Sequence, residues 1–152
     1  MMNQAAPTSG WLDGREHVLP VRVYYEDTDF TGVVYHANYL RFFERGRSDS
    51  LRLAGVSHQF LLGLPQPCAL TVTHMSIDFR RAAKIDDALE VRSLFEGFKG
   101  VRMHLTQRLL RGGELLAEAS VQVACITMEG RPRRPPPDLV NSLNPLLPSA
   151  TP

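Results

Sequence analysis

Residues 36–55 read HANYLRFFERGRSDSLRLAG, a run without proline in which Tyr39, Phe42, Phe43, Leu51 and Leu53 recur at the spacing of an amphipathic helix. Gly55 is a natural stop, because glycine enters the left-handed conformation that closes a helix at no steric cost. Gly46 lies inside the run and costs about 1 kcal/mol against alanine, which a close approach to another backbone would justify. Outside this helix the period changes. From Val18 to Glu26, Val21, Val23 and Tyr25 alternate with Arg22, Tyr24 and Glu26, as in a strand. After it, SHQFLLGLP (57–65) reads as a short helical turn. Four long β-favouring runs follow: CALTVTHMSIDFRR (68–81), ALEVRSLFEGF (88–98), VRMHLTQRLLR (101–111) and ELLAEASVQVACITM (114–128). AAKIDD links the first two, Lys99-Gly100 the next pair, and Gly112-Gly113 is a hairpin signal between the last two.

The order strand, long helix, four antiparallel strands predicts an α+β domain in which one helix covers a face of a sheet of about five strands. Alternation breaks down at Leu109-Leu110 and Leu115-Leu116, the pattern of strands covered on both sides. A single helix cannot cover so wide a sheet, so the chain is expected to self-associate. The expected boundaries are a flexible tail over 1–16, the folded domain over 17–135 and a Pro-rich tail over 136–152, with a short helix at Asp138 to Leu143.

At 152 residues, with 43% hydrophobic and 22% charged residues, the chain is long enough for one domain with a real core. A net charge of +1 argues against a general nucleic-acid or anionic-membrane binder. Cys68 and Cys125 stand apart with no Cys-x-x-Cys spacing, so they are expected to be reduced core thiols rather than zinc ligands. The opening MMNQAAPTSGW has neither the basic nor the apolar region of a signal peptide, and no window is apolar over a bilayer-spanning length. A cytoplasmic protein is the expectation.

The chemistry concentrates in YYEDTDFTGVVYHANY (24–39). Asp27-Thr28-Asp29 is a weak D-x-D pair, and His17, His36, His58, His74 and His104 are scattered without an i, i+4 pair, so no metal and no cofactor is expected. There is no G-x-S-x-G elbow and no glycine-rich phosphate loop. What remains is an acid in a loop just before a helix that begins near Tyr35, His36 and Ala37. Free N–H groups at a helix start carry partial positive charge and stabilise an oxyanion. A carboxylate beside them can attack a carbonyl or deprotonate a water that does. The same residues also fit a plain reading, with Asp27 or Asp29 as a helix cap and His36 as an exposed first-turn residue.

VRVYYEDTDFTGVVYHANYLRFFERGR (21–47) resembles the signature of the 4-hydroxybenzoyl-CoA thioesterase family, and more closely the acyl-CoA thioesterases encoded with the bacterial Tol–Pal envelope system. The resemblance spans roughly Val18 to Pro135 and is looser over IDFRRAAKIDDALEVRS (77–93) and the Gly112-Gly113 hairpin. It implies a hotdog fold, one long helix wrapped by an antiparallel sheet, assembled into dimers or a homotetramer. It implies hydrolysis of an acyl-CoA thioester, with the catalytic carboxylate on Asp29 and, at His36, the helix-start N–H that meets the thioester carbonyl. Phe30-Thr31 departs from the small residues common there, which would narrow an acyl pocket.

Tyr35 at the helix start, Glu44 two turns after His36, and the basic strand ends Arg80, Lys84 and Lys99 are candidate substrate contacts, the cations for CoA phosphates. Two other readings compete with the hydrolase: a dehydratase-like hotdog activity on acyl-carrier-protein thioesters, and a non-catalytic thioester-binding scaffold for envelope or lipid-metabolism proteins. Dehydratases of this fold carry their acid on the central helix, whereas here the best acid precedes it.

Overall fold

The computed structural model describes Pro7 and residues 9–148. Its elements run β1 Trp11–Asp13, β2 Glu16–Arg22, a 3-10 turn Tyr25–Asp27, α1 His36–Leu53, α2 His58–Leu62, β3 Cys68–Phe79, β4 Ala88–Lys99, β5 Arg102–Arg111, β6 Glu114–Thr127, α3 Pro137–Leu143 and a 3-10 turn Asn144–Leu146. Helix α1 forms where the apolar spacing predicts it. It buries Tyr39, Phe42, Phe43, Gly46 and Ser50, and it ends as Gly55 turns left-handed at φ 84° while the Val56 N–H donates to Leu51 O at 2.8 Å. Gly46 is required because a Cβ there would sit 2.6 Å from Val91 Cγ1 and 3.1 Å from Ser93 Oγ. The close approach expected at this glycine is real, but it is made to side chains of the sheet rather than to another backbone.

The strands form one antiparallel sheet in the order β1-β2-β4-β5-β6-β3. Leu89, Val91 and Phe95 of β4, Met103, Leu105 and Leu109 of β5, and Ala117, Ala119, Val121 and Val123 of β6 point to the helix and make the core. Alternation is therefore clean along β4 as far as Phe95, where the β4–β5 register shifts, and along most of β5. It fails at Leu109-Leu110: Leu109 lies in the helix-side core, whereas Leu110 is also buried but outside that core, and the β5–β6 register shift beside them places its extra residue, Leu116, on β6.

Several expectations need correction. The sheet has six strands rather than about five. Trp11–Asp13 pairs with β2 instead of lying in a tail, because Asp49 of α1 reaches outward to hold it. Its Oδ2 accepts from the Gly10 N–H at 2.8 Å and hydrogen-bonds His17 Nε2, also at 2.8 Å, in a buried contact. Residues 1–6 and 8 of the expected tail lie outside the described residues. The strand expected to reach Glu26 stops at Arg22, where the 3-10 turn takes over. The C-terminal segment is also built in. Leu139, Leu143 and Leu146 recur at helical spacing and are fully buried in the common core, with Pro137 at the start of α3 where a missing N–H costs nothing. Residues 149–152 lie outside the described residues.

Cys68 and Cys125 are free and buried on adjacent strands, and burial pushes the Cys125 thiol up to about 12. No helix among the described residues is long and apolar enough to cross a membrane.

Candidate active site

The loop between β2 and α1 is held from both ends. Val23 N–H donates to Asp87 O, and Asp86 N–H returns a bond to Val23 O, both at 3.0 Å. Asp27 is then buried, one oxygen accepting from the Tyr24 N–H at 2.8 Å and the other from Asn38 Nδ2 at 2.9 Å, while its backbone carbonyl accepts from Tyr35 N–H at 2.9 Å. The first acid of the D-x-D pair is thus a structural clamp that ties the loop to the first turn of α1. The second acid faces outward. Asp29 opens a tight turn in which Gly32 N–H donates to Asp29 O at 3.1 Å and Asp29 N–H to Val33 O at 2.9 Å. Gly32 takes φ 86°, which a residue with a Cβ rarely adopts.

Two donors from Thr31, its hydroxyl and its backbone N–H (2.8 Å), converge on Asp29 Oδ1. The other carboxylate oxygen has no hydrogen-bond partner among the described residues. The Thr31 hydroxyl first, then its N–H, and more weakly the charge of His36, hold the Asp29 carboxyl below the usual carboxylate range. Asp29 is therefore an ionised, half-exposed carboxylate with one oxygen fixed and one available.

His36 is the first residue of α1, exposed, its ring 4.6 Å from that of Tyr35. Tyr35 precedes the helix with φ −61° and ψ 133° and offers no side-chain cap. The N–H of Asn38 is taken by Tyr35 O, but among the described residues no backbone partner is found for the N–H groups of His36 and Ala37. They have the orientation and partial charge to receive an oxyanion.

The remaining candidates divide. Lys84 adjoins the site, since it forms a β-bridge with Val33 of the Asp29 turn, and Arg80 follows β3 on the same side with its N–H on Leu116 O. Lys99 ends β4, a strand of 12 residues that begins just after Lys84. At roughly 3.3 Å per residue β4 spans about 35 Å, so the two lysines lie towards opposite ends of that strand. Glu44 is exposed on α1 and stands at the mouth of a cavity of about 150 Å³ between the helix and the sheet. Leu51, Leu70, Phe95, Met103 and Leu105 make its apolar walls, and Arg47 reaches it as well. Phe30 does not fill any pocket of this subunit; its side chain is fully exposed.

Sequence reasoning assigned no role to Asn38 or Arg47, and it marked Thr31 only as a departure that would narrow a pocket, not as a partner of Asp29. Only Thr31 carried a signal, as the hydroxyl two residues after an acid in a turn. Among the described residues no three His, Cys, Asp or Glu side chains gather into a set able to hold a metal ion.

The family model for the thioesterase-like superfamily matches residues 23–143. The acyl-CoA thioesterase YbgC of Haemophilus influenzae is 48% identical over 109 residues, 72% of this chain and 79% of that protein. The acyl-CoA thioester hydrolase YbgC of Escherichia coli is 40% identical over 123 residues, 80% of this chain and 90% of that protein. Among solved structures, a probable thioesterase from Bartonella henselae superposes with a TM-score of 0.76 at 43% identity, covering 80% of this chain and 99% of that one. With the hotdog architecture, the acid-bearing turn and the open helix start already in place, these matches establish that the chain belongs to the thioesterase-like superfamily, in the family of its YbgC relatives.

Proposed function

We propose that this acyl-CoA thioesterase works through the Asp29 carboxylate and the N-terminus of α1, in a site completed by a second copy of the chain. The observation that carries the assignment is the free oxygen of an ionised Asp29 beside a helix start whose leading N–H groups have no backbone partner among the described residues. The thioester carbonyl oxygen accepts from the His36 N–H. Asp29 then either takes a proton from the water that attacks the carbonyl carbon, or attacks it directly and leaves a mixed anhydride for water to open. In both routes the C–S bond breaks, the acyl group leaves as a carboxylate and CoA as a thiolate that picks up the released proton. A thiolate leaves readily, so no strong general acid is required.

The second copy joins through β3. This 12-residue strand is the longer of the sheet's two outer strands, and an open edge of that length is a template for pairing. Its helix-side residues Val72 and Phe79 are exposed, as is Leu40 on the neighbouring flank of α1. Two β3 edges joined antiparallel about a two-fold axis would cover them. Phe79 marks the Asp29 end of β3, through its edge-on contact with Tyr39 at 5.2 Å and the bond from Ala83 N–H to the Tyr39 hydroxyl. Leu70 and Val72 mark the cavity end. Antiparallel pairing therefore sets Asp29 and His36 of one copy against the cavity of the other. A dimer is what the site needs; a tetramer would add to it. Free thiols and a CoA substrate favour the cytoplasm. The test is release of free thiol from acyl-CoA by the wild-type chain and by Asp29→Asn, with the molar mass read by light scattering. Full turnover by Asp29→Asn would remove Asp29 from the chemistry.

A further inference from the structure

The cavity beneath α1 has one wall that an apolar acyl chain does not explain. Arg47 is half-buried there among leucines, Phe95 and Met103. Its Nη1 donates to Gln107 Oε1 at 2.9 Å. Gln107 is itself fully buried, and its amide nitrogen donates to Phe43 O at 2.9 Å and Ser93 Oγ at 2.8 Å. Those two bonds settle which way the amide points, so its oxygen is committed to Arg47 and the guanidinium is held at the cavity wall. A guanidinium has five N–H donors, and this bond uses one. No carboxylate forms an ion pair with Arg47 among the described residues. Glu44, one turn back at the mouth of the same cavity, is the acid whose charge acts on it, and that side chain is exposed. Burial works against the charged form of Arg47, and an anion entering the cavity would relieve that cost.

We propose that Arg47 is a specificity-determining residue that pairs with a carboxylate at the far end of the acyl group, so that the enzyme takes CoA monothioesters of dicarboxylic acids. The size agrees: a cavity of about 150 Å³ is the volume that accepts a benzene-sized guest, enough for a short methylene chain and its terminal carboxylate. The reach identifies the copy. The cavity is flanked by α1 residues 44–51, about 12–22 Å along the axis from His36 at 1.5 Å per residue, beyond such an acyl group held at its own His36. It is reached from the Asp29–His36 site of the second copy. The proposal thus rests on the two-copy site argued above.

The test compares adipyl-CoA with octanoyl-CoA, which carry equal numbers of heavy atoms beyond the thioester carbonyl and differ in the terminal charge. The wild-type chain should favour adipyl-CoA in kcat/KM. Arg47→Met keeps the apolar stem, and it should lower the adipyl-to-octanoyl ratio by roughly tenfold to a hundredfold, the range for charge-assisted hydrogen bonds. Because Arg47 also steadies Gln107, the ratio is the readout; a structural role alone would lower both substrates together. Hybrid dimers carrying Asp29→Asn on one chain and Arg47→Met on the other, isolated by two tags, locate the site. If one copy's cavity serves the other's Asp29, one site of each hybrid is intact and wild-type selectivity for adipyl-CoA returns. A ratio unchanged in Arg47→Met, or a wild-type preference for octanoyl-CoA, overturns the role of Arg47 while leaving the dimer standing. Hybrids with the selectivity of Arg47→Met, or a monomeric wild-type mass, overturn the two-copy site and the proposal with it.

Discussion

Two acids two residues apart, Asp27 and Asp29, should fail in opposite ways when each is changed to asparagine. In Asp29→Asn the oxygen that accepts both Thr31 donors can be kept as the amide oxygen, and the new NH2 replaces an oxygen that has no partner among the described residues. The turn survives and the charge goes. A positioned acid–base group contributes about 10²–10⁴-fold, which is roughly 2.7–5.4 kcal/mol of barrier, so thiol release should fall by that factor while the melting temperature barely moves. In Asp27→Asn both carboxylate oxygens were acceptors in a buried site, one from Tyr24 N–H and one from Asn38 Nδ2. An amide can accept at only one of them. The loss is about 1–3 kcal/mol, at the lower end if the Asn38 amide turns over to accept from the new NH2. For a domain of this size each kcal/mol is about 2–4 °C, so Asp27→Asn should melt roughly 2–12 °C lower and retain most of its turnover at low temperature. Thermal denaturation and a free-thiol assay on both variants read this directly. Normal turnover with a lowered melting point in Asp29→Asn would reverse the two roles and refute the reasoning.

Because the working form of Asp29 is the carboxylate, activity should be lost as pH falls through its folded pKa, and the Thr31 donors set that limb below the usual carboxylate range. Thr31→Val removes the larger contribution and should move the acidic limb of kcat/KM upward; an unmoved limb would mean that another group controls it. Gly46→Ala places a methyl group 2.6 Å from Val91 Cγ1, and overpacking of about 1–3 kcal/mol should outweigh the helix propensity of alanine, seen as a lower melting temperature. Leu139→Ala should cost about 2–5 kcal/mol in chemical denaturation, because this leucine of the C-terminal helix is fully buried; a change under about 0.5 kcal/mol would show that α3 is dispensable.

Local periodicity determined the elements of this chain. Tyr39, Phe42 and Phe43 at helical spacing, the alternation in the first part of β4, and Gly100 and Gly112-Gly113 at the hairpins specify structure through neighbours a few residues apart, and those elements are where the sequence predicts them. Residue chemistry likewise singled out the stretch from Asp27 to His36. The outcomes that only the tertiary structure decided depend on partners distant in the chain. Residues 10–13 are ordered because Asp49 of α1 accepts from Gly10 and pairs with His17, and Leu139, Leu143 and Leu146 are core because a distant surface receives them. The same physics separates the two acids: Asp27 is a clamp because Asn38 and the Tyr24 N–H surround it, and Asp29 is free because only its own turn does. Arg47, an ordinary surface residue by its spacing, becomes a cation on a cavity wall because Gln107, sixty residues later, holds it there. A hydrogen bond across that separation leaves no periodic trace in the sequence, since its position depends on the register between strands and helix rather than on any local repeat.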